Sequence, residues 1–119
     1  MHVTRVYADA DGESHFADID IALTDGGTIG AMSERQPAHG VIFRENEPGY
    51  DFDWHCAPRR QYIVLLDGEI ELTVSDGETR RFTGGDVLLV EDTTGKGHRT
   101  RNTRAERRRS LFIPLDPED

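Results

Sequence analysis

Apolar residues along this chain recur at every second position or in short runs, and seldom at the 3.6-residue spacing of a helix face, so the pattern predicts strands and no convincing helix. The alternation is clearest where Ile70, Leu72 and Val74 stand against Glu69, Glu71 and Thr73, and again at Leu111, Ile113 and Leu115. Each stretch reads as a strand with one dry face. Between the runs lie turn signals: Asp25-Gly26-Gly27, Pro48-Gly49, Asp67-Gly68, Asp76-Gly77 and Gly84-Gly85. Asp76-Gly77 separates residues 72–74 from a return segment at 79–82 and predicts a tight hairpin. Many short, regularly spaced strands point to a sandwich or barrel, not an α/β fold. No repeat or linker is visible, so one domain over 1–119 is expected, with residues up to 13 and from 116 onward the segments expected to fray.

Composition narrows the function classes. The longest apolar runs, 63–66 and 87–90, have four residues each, far short of the roughly 20 that a membrane-spanning helix requires. The first twelve residues carry Arg5, Asp9 and Asp11 and have no apolar core of the secretory kind. A soluble, cytoplasmic protein is the expectation. Cys56 is the only cysteine, which excludes an intrachain disulfide and a cysteine-based zinc cluster. The net charge of -9 is uneven: residues 1–58 hold 11 acids against 3 bases, and residues 59–119 hold 12 against 11. An acidic surface opposes nucleic acid and anionic membrane as partners. Arg99, Arg101, Arg104, Arg107, Arg108 and Arg109 crowd together with Glu106 the only acid among them; a nucleic-acid patch is one reading of this run, and a solvated loop and strand edge is the blander one that is favoured.

Two segments carry the chemistry. Residues 49–68, GYDFDWHCAPRRQYIVLLDG, place Gly49, five residues, His55, then Gln61, six residues and Gly68. Residues 85–102 open on Gly85-Asp86 and end on His98 and Asn102 in a His-x-x-x-Asn pattern. The first segment resembles the first motif of the cupin superfamily, in which a glycine is followed after five residues by His-x-His, then Glu, then six residues and a glycine. Ala57 stands at the second histidine and Gln61 at the glutamate. The second segment resembles the second cupin motif, with Glu91-Asp92-Thr93 in the place of its Pro-x-Gly stretch and a longer loop before His98. The resemblance implies an all-β double-stranded β-helix, a jelly-roll barrel of two antiparallel sheets. It also implies a divalent ion held by three histidines and one glutamate, and a homodimer, as in many small cupins.

Strand geometry gives the spacing a meaning of its own. On a regular strand 55, 57 and 61 share one face, with Arg59 between them, though Pro58 is placed to disturb that register. In a jelly roll this face lines the interior, and His98 closes the site from the opposite wall. Trp54, Cys56 and Tyr62 have the other parity and are expected to face away, with Cys56 a small hydrophobe. His55 and His98 are the candidate acid–base groups, because imidazole titrates near neutrality. Arg59, Gln61 and Asp92 are candidate ligand-binding residues, Arg59 through the match of its planar fork to a carboxylate or phosphate. Residues 93–97 form a loop over the barrel mouth expected to bring Asp92 and Lys96 near the ligand; their Gly-Lys lacks the flanking residues of a phosphate-binding loop. His2, His15 and His39 read as surface residues, with His39 a spare metal donor.

The lost ligands bear directly on the cofactor. A carboxylate supplies charge as well as an oxygen, so Gln61 is a poorer donor and Ala57 none at all. Three readings stay open: a metal-free barrel that binds a small polar or anionic molecule, with acid–base chemistry at His55 and His98; an atypical isomerase- or dioxygenase-like enzyme using zinc, iron, manganese or nickel on His55, Gln61 and His98; and a structural or regulatory module with a filled barrel. Whether the chain is an enzyme is left open by the residues, and so is its ligand.

Overall fold

The computed structural model describes residues 1–115. Period-two patterning is realised as short strands throughout: β1 (His2–Ala8), β2 (Ser14–Asp20), β3 (Thr24–Asp25), β4 (Ala31–Met32), β5 (Ile42–Asn46), β6 (Asp51–His55), β7 (Gln61–Leu65), β8 (Glu69–Val74), β9 (Thr79–Thr83), β10 (Val87–Val90), β11 (His98–Asn102) and β12 (Arg108–Pro114). The helical content of the described residues is a single 3-10 turn at Gly27–Ile29. A six-stranded sheet in the order β2-β1-β10-β7-β12-β5 faces a four-stranded sheet in the order β6-β11-β8-β9, and β3 and β4 form a small pair. This is the expected jelly roll. Its pairings are antiparallel except for β1 with β10, which run parallel.

Both sheets feed one core. Val6 of β1, Leu65 of β7, Leu88 and Val90 of β10 meet Ile70, Leu72 and Val74 of β8. The Phe16 and Phe82 rings, 6.1 Å apart, bridge the sheets near one edge. Each fully buried aliphatic side chain contributes about 1.5–3 kcal/mol relative to exposure, and in β8 the burial alternates as its sequence predicts. The hairpin at Asp76-Gly77 also forms, with Gly77 N donating to the Val74 carbonyl.

Three expectations are corrected. The N-terminal residues do not fray: β1 is held on both sides, by β2 and by β10, a pairing between distant segments that local patterning does not reveal. Residues from 116 onward lie outside the described residues. The apolar series Leu111, Ile113 and Leu115 does not supply the inner face of β12. That face carries Arg108, Ser110 and Phe112, while Ile113 and Leu115 line an outer groove beneath residues 21–38. Arg108 is therefore a buried residue, 2% exposed. Its neighbours in the run behave as a solvated edge: Arg101 pairs with Glu71, Arg104 with Glu69, Arg107 with Glu45 and Glu47, and Arg109 with Asp67. None of the described helices is long and apolar enough to cross a membrane.

Candidate functional site

Between the sheets lies a cavity of about 440 Å³. Its walls are largely aliphatic, from Ile63, Leu65, Ile70, Leu72, Leu88 and Val90, and its polar groups sit in two clusters.

The first cluster contains the two histidines. His55, at the end of β6, is the register partner of His98 at the start of β11, and their ring centroids are 4.5 Å apart. A register shift separates this pair from the next, Thr100 with Phe52. One extra residue on β6 turns Phe52 to the same side as His55, as bulges do. The Phe52 ring consequently stacks on the His55 imidazole at 3.7 Å.

Hydrogen bonds orient both imidazoles. His55 Nδ1 lies 2.7 Å from the Asp53 carbonyl, which can only accept, so Nδ1 carries the proton and Nε2 the lone pair. His98 Nδ1 donates to Asp92 Oδ2 at 2.5 Å, which leaves His98 Nε2 as its accepting nitrogen. Asp92 is fully buried, and its Oδ1 has no partner among the described residues. A buried carboxylate behind an imidazole fixes its tautomer and stabilises the imidazolium that forms on proton uptake.

Burial holds the His55 imidazole below its ordinary value of 6.5; the Asp53 carbonyl opposes this and the charge of His98 reinforces it. The sign follows directly. A depressed folded value means that the His55 contribution to stability is present above the unfolded value and is lost as pH falls through the folded one. A proton NMR titration is expected to place the His55 midpoint below that of a histidine in the unfolded chain. A midpoint at or above 6.5 would show that the ring is not desolvated as described.

Gln61 and Ala57 join the histidines at the cavity wall, although the strand does not run through as a regular extension. It breaks after His55 and bends through residues 58–60 before β7 begins, so that β6 and β7 belong to different sheets. All four motif positions thus reach the cavity, His55, Ala57 and Gln61 from two strands and the connecting loop and His98 from β11. Gln61 is 2% exposed and its Oε1 has no partner among the described residues, an acceptor in want of a donor.

The same bend removes Arg59 from the cavity lining, and parity along an unbroken strand does not apply to it. It brings Cys56 to the cavity wall instead, where its Sγ lies 3.3 Å from the Gly95 carbonyl. Trp54 and Tyr62 do face away. Asp92 is not a mouth residue but a buried one behind His98, and Lys96 is at the surface, paired with Glu13. The loop 93–97 is held down: Lys96 N donates to the Gly12 carbonyl. His2 and His15 are ion-paired with aspartates away from the cavity, and His39 is exposed, with its backbone N–H donating to the Pro114 carbonyl.

The second polar cluster was not anticipated. Arg108 and Arg44 line the cavity with Tyr50. Arg108 Nε donates to Asn102 Oδ1 at 3.0 Å, and the two guanidinium carbons lie 5.5 and 5.0 Å from the Tyr50 ring centroid. Burial, with Arg44 nearby, pulls the Arg108 guanidinium down to about 10, still charged at neutral pH. Flanked by Arg107 and Arg109, Arg108 carries no sequence signal that separates it from its exposed neighbours.

The donor set does not fit the divalent ion of metal-binding cupins. The described residues contain no group of three or more His, Cys, Asp or Glu side chains arranged to hold a metal. His55, His98 and Gln61 are the groups that could approach an ion, all neutral donors, and Ala57 offers a methyl where the third imidazole belongs.

A family profile described as a cupin domain matches residues 43–114. Among curated proteins, oryzines biosynthesis cluster protein J of Aspergillus oryzae is 34% identical over 77 residues, 64% of this chain and 41% of that protein. The chain thus spans well under half of that relative's length. Among solved structures, the Cnp3 cupin domain of Schizosaccharomyces pombe superposes with a TM-score of 0.53 at 14% identity, over 97% of this chain and 84% of that one. A cupin domain from Bordetella pertussis gives 0.51 at 17% identity, over 71% of this chain and 100% of that one. These structures speak to the fold, and the profile spans both motif segments, including His55 and His98: the chain belongs to the cupin family.

Proposed function

We propose that this cupin barrel binds a small organic molecule and exchanges a proton with it through His98, with Asp92 behind the imidazole and His55 beside it. The observation that carries this reading is the cavity of about 440 Å³ with the Asp92–His98–His55 cluster in its wall. Its volume falls within the range of roughly 300–1,000 Å³ typical of small-molecule sites, which weighs against a barrel filled by its own side chains. The lone pair of His98 Nε2 accepts the proton, Asp92 stabilises the resulting imidazolium, and the desolvated His55 stays neutral as an accepting neighbour. The two imidazoles have different partners, a buried carboxylate at His98 and a backbone carbonyl at His55, and so take different roles in the proposed proton transfer. Gln61 Oε1 accepts a hydrogen bond from an N–H or O–H of the ligand. A metal-dependent reaction is the weaker reading, because two of the four cage positions lack a suitable donor.

The test is deuterium exchange from solvent into the C3 methylene of phenylpyruvate, a small carbon acid, followed by proton NMR. The wild-type protein should accelerate exchange, and His98→Gln should lower that acceleration by about a hundredfold while the fold is retained. Exchange that is not accelerated, or is indifferent to His98→Gln, would remove the proton-transfer role.

A further inference from the structure

Arg108, held by Asn102, lies at the end of the cavity away from His98, and Arg44 lines the cavity beside it. On β11 the His98 and Asn102 Cα atoms are separated by roughly 13 Å of strand, and Asn102 is the residue that holds Arg108 Nε. Arg44, on β5, is the register partner of Ser110, two residues from Arg108, and its charge acts on both Arg108 and His55. Between the two ends runs a wall of rings: Tyr50 lies 6.3 Å from Phe52, Phe52 3.7 Å from His55, and His55 4.5 Å from His98.

Charge is unbalanced at this end. Arg108 is 2% exposed, and neither it nor Arg44 has a carboxylate at ion-pair distance among the described residues. Asp67, whose charge favours the protonated Arg108, is instead bonded to Arg109. Arg108 spends only Nε on a protein acceptor, and its two terminal nitrogens make no hydrogen bond within the described residues. Burying a cation without an anion is costly. The local backbone is built around it nonetheless: at Gly68, with φ +72°, a Cβ would lie only 3.0 Å from Arg108 Cγ, so the glycine makes room for the arginine stem.

We infer that Arg44 and Arg108 form an anion subsite that takes the carboxylate of the ligand, whose apolar body lies along the aliphatic and aromatic walls toward His98. The inference rests on the barrel's being a small-molecule site, and it adds the substrate class: an aryl or alkyl carboxylic acid. A guanidinium fork matches the two oxygens of a carboxylate. A carboxylate is favoured over a phosphate because a dianion loses more hydration on entering walls that are otherwise apolar.

The experiment is calorimetric titration with 3-phenylpropanoate, its isosteric amide 3-phenylpropanamide, and phenyl phosphate. The carboxylate should bind about tenfold to a hundredfold more tightly than the amide. Arg44→Met and Arg108→Met should each remove most of that difference, weakening the acid far more than the amide. Because Arg108 is buried and its variant could fail to fold, the half-buried Arg44 carries the test independently, with Arg44→Lys expected to restore part of the preference. Equal binding of acid and amide, or a preference untouched by Arg44→Met, overturns the subsite while leaving the barrel reading intact. Tighter binding of phenyl phosphate overturns the carboxylate assignment. Binding of none of the three overturns the barrel reading itself, and the subsite with it.

Discussion

Gly97→Ala is expected to be among the most damaging single-methyl additions in the chain. Gly97 has φ +74°, a conformation that costs a residue with a Cβ about 1 kcal/mol or more. The larger penalty is steric. An added Cβ would sit 2.2 Å from the His55 carbonyl oxygen and 2.4 Å from its carbon, and these are backbone atoms that no side-chain rotation can clear. Relief requires β11 to separate from β6 where His98 meets His55, while the Gly97 carbonyl is also anchored by Ser14 Oγ at 2.6 Å. The expected loss is at least about 3 kcal/mol, read as a fall in melting temperature, together with loss of ligand binding. Gly77→Ala provides the comparison, since Gly77 has φ +101° but nothing within 4 Å of an added Cβ. Its cost should be confined to backbone strain. Equal losses in the two variants would mean that the approach of β11 to β6 is not as close as described.

The largest gain is expected from restoring two donors. Ala57→His with Gln61→Glu places three imidazoles and one carboxylate at the cavity wall, since residues 55, 57, 61 and 98 all line it. The supporting partners are already present. His98 Nδ1 is bonded to Asp92 and His55 Nδ1 to the Asp53 carbonyl, which leaves Nε2 of each free to ligate, the arrangement that outer partners of metal-bound histidines provide. Zinc or nickel should bind the double variant by ~10³-fold or more over the parent, since a complete four-donor zinc site is worth about 10–16 kcal/mol and the parent holds only part of one. A melting temperature that rises with metal concentration should accompany it, by mass action on the folded state. Adding His55→Ala should abolish the gain. A folded double variant with no new tight site would show that the four positions do not converge.

Each feature is legible in the sequence only over the physical range of its signal. The β8–β9 hairpin and the dry face of β8 depend on neighbouring residues, and period-two alternation reports them directly. The meeting of His55 with His98 came from motif spacing, which carries tertiary information through resemblance. Arg59 shows where local reasoning stops. Parity assumes an unbroken strand, and the bend at 58–60 moves β7 into the other sheet. Arg108 shows the complementary failure. A charged residue in a run of arginines reads as surface, and only the inward face of β12, the space over Gly68 and the Asn102 Oδ1 acceptor show it to be buried. Asp92 is hidden for a similar reason, since its partner His98 lies across a loop whose path is set by contacts with Gly12 and His55. The strand at the N-terminus pairs Thr4 with Leu88, a separation that no window of local pattern spans.

In the proposed complex the ligand lies in the barrel between the histidine and arginine clusters. Methyl and histidine-ring NMR spectra recorded while 3-phenylpropanoate is added test this placement most directly. The methyls of Ile63, Leu72 and Leu88 on the cavity wall should shift together with the rings of His55 and His98, while Val64 and Ile113 on the outer groove stay in place. Shifts confined to Val64 and Ile113, with the cavity methyls and both imidazoles unmoved, would contradict it.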